Sequence, residues 1–163
     1  MAKTTEPVTP AIRVLKAAGL VYRLHPYPYI DRGGAAHAAS CLGIPLHAVV
    51  KTLVMETDVG KPLLVLMHGD LEVSTKALAR HLGVKSVSPC STDRANRLTG
   101  YVVGGISPFG IRTAMPVYME SGILLLERMF VNAGKRGWLV ELHPSEAANL
   151  LHAERVEVGI SVS

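Results

Sequence analysis

A chain of 163 residues with 48% hydrophobic and 18% charged residues is long enough to bury one core and too apolar to be a disordered segment. Its net charge of +4 is compatible with a polyanionic partner such as RNA but does not require one. No run approaches about 18 unbroken apolar residues and residues 1–7 carry no apolar signal core, so neither a membrane span nor a secretory leader is expected. The two cysteines, Cys41 and Cys90, form no CxxC and read as free thiols of a cytoplasmic protein.

Residues 1–8 read as a flexible tail, and residues 9–163 as a single domain with no linker or repeat. Thr9-Pro10 supplies an N-cap and a proline at the first helical position, and Gly19 a C-cap, so residues 10–18 are predicted helical with Ile12, Leu15 and Ala18 on one face. Residues 20–25 read as a short strand ended by Pro26 and Pro28. The Ala-rich segment 34–42 reads as a helix closed by Gly43 and Pro45, with Cys41 in its apolar face as a core residue. Residues 49–57 and 62–68 are strongly β-like and are joined by Asp58-Val59-Gly60-Lys61, a hairpin signature. A helix capped by Ser74 runs to Leu82. A strand at 84–87 follows, then a helix over 92–98 capped by Ser91. Strands are predicted over 115–119, 128–131, 138–142 and 156–160, and a helix over 144–151. Strands lie in hairpins as often as they flank helices, which favours an α+β fold, a curved mixed sheet surrounded by helices.

Two glycine-rich stretches stand out. Gly100 to Gly110 holds four glycines around an apolar run and a Ser107-Pro108 turn, which describes either a structural bend or a tight loop whose backbone N–H groups face a ligand oxygen. Asn132-Ala133-Gly134-Lys135-Arg136-Gly137 makes a second turn, whose basic pair is either solvated or a grip on phosphate. Lys51 lies inside the apolar run 48–54, on the same strand face as Val49 and Leu53. It sits either at a rim with its stem snorkelling or in a pocket with its ammonium aimed at an acceptor. Thr52 faces the opposite side.

Other chemistries find no support. No two of the seven histidines have helical metal-pair spacing and no HExxH is present, so no metal site is expected; no cofactor motif was found. GxSxG and the P-loop pattern are absent. Trp138 and Phe109 read as core or pocket wall, and two Phe with one Trp are too few for a base-stacking platform.

Thr9-Pro10-Ala11, Val50-Lys51-Thr52-Leu53, Thr99 to Pro108, and Gly134-Lys135-Arg136-Gly137 followed by Glu141-Leu142 occur in an order, and with a spacing, that resembles the YbaK/EbsC family of aminoacyl-tRNA deacylases. That family is similar to the editing domain of bacterial prolyl-tRNA synthetases. The resemblance implies a YbaK-type mixed sheet, a cytoplasmic location, and hydrolysis of the ester joining a wrong amino acid to tRNA, foremost Cys-tRNA(Pro) or another small amino acid on tRNA(Pro). Its implied partners are aminoacyl-tRNA and, as a second candidate, prolyl-tRNA synthetase, with no membrane or DNA. Lys51 matches the family's indispensable lysine. The pocket would be formed by Tyr27, Thr52, Gly104, Gly105, Ile106, Ser107, Pro108, Asn132 and Gly134, and Lys135 and Arg136 would grip tRNA phosphate. The pattern is not complete. Asn132 stands where Cys-specific members often have serine, Ala133 replaces a glycine, and Leu139 falls where an aspartate is common. A catalytically weak module that binds tRNA or a synthetase is the alternative those departures favour.

Overall fold

The computed structural model describes residues 5–161. Polar side chains cap the starts of all its α-helices but one, which begins after Gly33, and left-handed residues end most of them. Helix α1 (Pro10–Ala17) is capped by Thr9, whose hydroxyl accepts from the Ile12 N–H and donates to the Ala133 carbonyl at 2.6 Å, so the cap also ties α1 to the 132–137 turn. Helix α2 (Gly34–Leu42) ends at Gly43. Helices α3 (Thr75–Leu82) and α4 (Thr92–Thr99) are capped by the Ser74 and Ser91 hydroxyls and closed by Gly83 and Gly100, and α5 spans Pro144–Leu151.

The strands are β1 (Tyr22–Pro26), β2 (Val49–Thr57), β3 (Pro62–His68), β4 (Leu71–Val73), β5 (Val87–Pro89), β6 (Val117–Glu120), β7 (Met129–Asn132), β8 (Trp138–Leu142), β9 (Glu154–Val156) and β10 (Gly159–Ser161). One sheet runs β1-β8-β7-β2-β3-β6-β9, with β5 also on β2, while β4 and β10 form a separate antiparallel pair. Within it β2–β7, β3–β6 and β6–β9 are parallel and the remaining pairings antiparallel, which is the mixed α+β sheet expected.

Both faces of β3 are buried, which explains its near-continuous apolar sequence. Leu64 and Leu66 pack with Ala11, Ile12 and Leu15 of α1 and Ala147 of α5; Leu63, Val65 and Met67 pack with Leu78 and Ala79 of α3. A third cluster sets Ala38 and Ala39 of α2 against Val49, Phe130 and Leu139. Trp138 and Phe109 are buried in the first cluster.

Several strands differ from expectation: β4 is not among those expected, β6 starts at Val117 rather than 115, and β7 is shifted by one residue. β1 begins at Tyr22 and β5 at Val87 because the residues before them still serve as helix caps: the Leu20 N–H returns to the Leu15 carbonyl and the Val84 N–H to Ala79. The strand expected over 156–160 is two strands. The buried Glu120 carboxylate accepts the Val158 and Gly159 N–H groups at 2.8 and 3.0 Å, so those two donors turn to a side chain instead of continuing β9, and β10 pairs with β4 from Gly159 on. Cys41, expected in the core, is exposed on α2 with its Sγ 3.5 Å from His37 Nε2. The face of α2 that meets the sheet is the Ala38–Ala39 face. Of the expected tail, residues 1–4 lie outside the described residues, and Pro7 is buried.

Candidate active site

The sheet splits at β2. β7 pairs with it only as far as Val50↔Val131, and β5 joins the same edge at Met55↔Pro89. Between those points a cavity of about 520 Å³ opens. Every residue from Val49 to Val54 lines it, although alternation puts only every second side chain on one face, so the cavity meets the strand along its edge. Tyr27 and Tyr29 after β1, Ala35, His37 and Ala38 of α2, Leu139 of β8, and Cys90, Thr92 and Ala95 around the start of α4 complete the walls.

Lys51 lines this cavity half-buried, and its Nζ donates to the Leu71 carbonyl of β4 at 2.5 Å. Of the two placements left open by the sequence this is the second, a cavity wall with the ammonium on a backbone acceptor. Burial pushes its pKa below the ordinary lysine value, against the opposing pull of Glu72 and Asp70. Thr52 also lines the cavity, and its Oγ1 is buried without a hydrogen-bond partner.

The glycine-rich loop closes one side. Val103, Gly104 and Ile106 line the cavity. Gly105 packs backbone to backbone on the 134–137 turn, since a Cβ there would stand 2.9 Å from the Arg136 nitrogen. Gly104 takes φ +94°, a left-handed conformation that glycine adopts without strain. Asn132 links the two stretches: its Oδ1 accepts from the Gly134 and Lys135 N–H groups and its Nδ2 donates to the Gly104 carbonyl. Arg136 donates from Nε and Nη2 to the Val103 carbonyl and lies 5.2 Å over the Tyr29 ring. Ser107 and Pro108 are buried behind the loop, the Ser107 Oγ accepting from the Phe109 N–H. Gly134 lies against Tyr101 and Thr9, away from the cavity, and Lys135 is exposed.

Of the residues expected at the site, Lys51, Tyr27, Thr52, Gly104, Ile106, Asn132 and Arg136 meet at the cavity, while Gly105, Ser107, Pro108, Gly134 and Lys135 do not line it. The Tyr27 phenol has a pKa raised mainly by burial, and its ring meets His37 edge-on at 6.0 Å. Sequence reasoning missed His37, Cys90, Thr92 and Arg32, which only the fold delivers to the cavity; Arg32 adopts φ +62° there. It also missed a group that no helical spacing rule detects, His47, His68 and Asp70, which offer atoms within 4.8 Å of one another. These side chains already bond among themselves. The two imidazoles stack at 3.7 Å, His68 Nδ1 meets the His47 carbonyl at 2.7 Å, and His47 Nδ1 meets Asp70 at 2.9 Å. Nε2 of the buried His68 faces Gly122, where a Cβ would come within 2.6 Å of it.

A family model described as an aminoacyl-tRNA editing domain matches residues 33–150. The "Putative Cys-tRNA(Pro)/Cys-tRNA(Cys) deacylase EbsC" of Enterococcus faecalis is 29% identical over 96% of this chain and 96% of its own length. Proline–tRNA ligase of Moorella thermoacetica is 27% identical over 91% of this chain, which corresponds to 27% of the ligase. The crystal structure of a "hypothetical protein" superposes with a TM-score of 0.85 at 25% identity, covering 93% of this chain and 99% of that one.

Proposed function

The chain belongs to the aminoacyl-tRNA editing domain family, and on that footing we propose that it is a cytoplasmic trans-editing deacylase of mischarged tRNA. Its substrate is Cys-tRNA(Pro) or another small amino acid on tRNA(Pro), and prolyl-tRNA synthetase is a candidate partner. The observation that carries this reading is the convergence on one cavity of Lys51, the open edge of β2 and the glycine-rich loop. Among the described residues no helix is long and apolar enough to cross a membrane.

Ester hydrolysis turns a carbonyl oxygen into an oxyanion, which preorganised N–H donors and a nearby cation stabilise. Lys51 acts here as the cation, on the carbonyl or on the phosphate and ribose of the terminal nucleotide, and leaves the Leu71 carbonyl as substrate enters. Water supplies the nucleophile, or the thiol of a cysteinyl substrate displaces the ester itself; in both cases the protein's main contribution is positioning. Lys135 and the remaining donors of Arg136 contact tRNA phosphate, so tRNA affinity is expected to fall with added salt. A second reading, a weakly catalytic module that binds tRNA or a synthetase, draws on Leu139. That residue is 4% exposed and makes apolar a stretch of wall where the family resemblance implies a carboxylate.

Deacylation of a panel of charged tRNAs by wild type and Lys51→Ala separates the two. One fast reaction that Lys51→Ala abolishes, with tRNA binding retained, supports the enzyme. No turnover of any charged tRNA by wild type, with tRNA still bound, establishes the binding module instead.

A further inference from the structure

The open edge of β2 has a defined polarity. Pairing with β3 sets Val54 opposite Leu64 and Thr52 opposite Leu66. The Val54 carbonyl accepts from the Cys90 N–H, on the side away from β3, and the Leu64 N–H donates to Pro116, away from β2. Val54 and Leu64 are therefore a non-hydrogen-bonded pair of the antiparallel ladder, and two residues along so are Thr52 and Leu66. The N–H and C=O of Thr52 point away from β3, into the stretch between Val50 and Met55 where neither β7 nor β5 is present to receive them. Its Oγ1, buried and without a partner, sits on the same residue. Thr52 thus brings a backbone donor and a backbone acceptor to one side of a cavity with mostly apolar walls, with an unspent hydroxyl buried beside them.

An aminoacyl ester carries the complementary pair on a single residue, an α-ammonium that donates and a carbonyl that accepts. Building on the deacylase reading above, we propose that the aminoacyl group docks on Thr52 as a one-residue antiparallel strand. Its ammonium donates to the Thr52 carbonyl and its ester carbonyl accepts from the Thr52 N–H, the reciprocal exchange of a hydrogen-bonded pair. Water then adds to the ester carbon, and the carbonyl electron pair moves onto the oxygen held by the Thr52 N–H. Collapse returns that pair as the ribose oxygen leaves, taking the proton that the attacking water gives up. In this geometry the substrate side chain lies on the same face as the Thr52 side chain. One χ1 step of Thr52 carries its hydroxyl to the position its methyl held, the methyl moving to that of the Cβ hydrogen, and brings Oγ1 beside the substrate's β-substituent. The site therefore favours short side chains bearing a hydroxyl or thiol over alanine, because a hydroxyl left unpaired beside the substrate is satisfied only by a polar partner.

The test uses the full chain with Cys-, Ser- and Ala-tRNA(Pro). Wild-type turnover on this set establishes the deacylase reading first. Incorporating the α-hydroxy analogue of threonine at position 52 removes one N–H and leaves the side chain intact. That N–H is outside the β2–β3 ladder and only the weakened Lys51 carbonyl, opposite Met67, belongs to it, so the thermal midpoint is expected to fall only slightly while kcat falls on the order of 100-fold. The same backbone change at Leu53, whose N–H belongs to the ladder, lowers the midpoint and marks the contrast. Thr52→Val, which is nearly isosteric, is expected to slow the Cys and Ser esters about tenfold relative to the Ala ester. An active, folded Thr52 ester variant with wild-type kcat overturns the docking mode and leaves the deacylase reading standing. An unchanged substrate ratio in Thr52→Val overturns the selection of polar side chains. No turnover by wild type overturns the deacylase reading, and the docking mode with it.

Discussion

Gly105→Ala is a perturbation of less than one side-chain rotamer with a large expected effect. The added Cβ would stand 2.9 Å from the Arg136 nitrogen, 3.3 Å from the Lys135 carbonyl carbon and 3.4 Å from the Lys135 Cα. All three neighbours are backbone, so no flexible side chain can swing aside. The turn they belong to is held by Asn132 through the Gly134 and Lys135 N–H groups, and by the Trp138 N–H on the Lys135 carbonyl. Gly105 is not in the left-handed region, so alanine meets no backbone penalty and the whole effect is steric. Relieving the contact to ordinary distance requires the loop and the turn to part by roughly half an ångström, an overpacking strain of about 1–3 kcal/mol. For a domain of this size that is a fall in thermal midpoint of roughly 3–9 °C. The same shift moves Gly104 and Ile106 at the cavity, and since displacements of about an ångström at a reacting centre cost on the order of 100-fold in rate, half that displacement is expected to cost roughly tenfold. Calorimetry and single-turnover deacylation read the two effects, with Val102→Ala, at an exposed position of the same loop, as the control. A Gly105→Ala protein with wild-type midpoint and rate would refute the backbone-to-backbone packing of loop on turn.

Tyr101→Phe removes a buried hydroxyl that donates to the Phe109 carbonyl at 2.6 Å and leaves that acceptor unpaired, an expected loss of about 1–3 kcal/mol measured by urea unfolding. Burial holds this phenol protonated up to about 12, so the loss should be the same at pH 6 and pH 8, and a pH-dependent difference would contradict it. His68 is buried and its pKa is depressed, chiefly by desolvation. The unfolded chain therefore binds a proton near pH 6.5 that the folded chain takes up only at lower pH, and stability falls as pH drops below about 6.5. The hydrogen bond to the His47 carbonyl, Asp70 and Glu120 oppose that shift, and the charge of the His47 imidazole reinforces it. His68→Gln should flatten the slope of unfolding free energy between pH 5 and 7; an unchanged slope would assign the acid sensitivity to other groups.

Local chemistry made most of the elements legible in advance. The Thr9, Ser74 and Ser91 caps, the glycines at 43, 83 and 100 and the long apolar runs of β2 and β3 each act within a few residues, so helices and hairpin could be read in order. The errors fell where a residue serves a neighbouring element: Leu20 and Val84 belong to the caps of the helices before them, and Glu120, 38 residues away, interrupts the last strand. The exposure of Cys41 depended on which face of an Ala-rich helix met the sheet, and a helix with eight small or apolar residues of nine distinguishes those faces weakly.

The site divides in the same way. Composition and motif alone singled out Lys51, the glycine-rich loop and the 132–137 turn, because a lysine inside an apolar strand and glycines in clusters are unusual wherever they occur. That Gly105 is a packing glycine and Gly104 a cavity one, that Arg136 is tied to the Val103 carbonyl, and that Lys51 rests on Leu71 were settled by contacts between segments 20 to 33 residues apart. The free edge at Thr52 arises only in the tertiary structure, since it exists because β7 departs from β2 before β5 arrives. A strand's own residues set the alternation of its side chains, but which of its backbone groups remain unpaired depends on the strands that come to lie beside it.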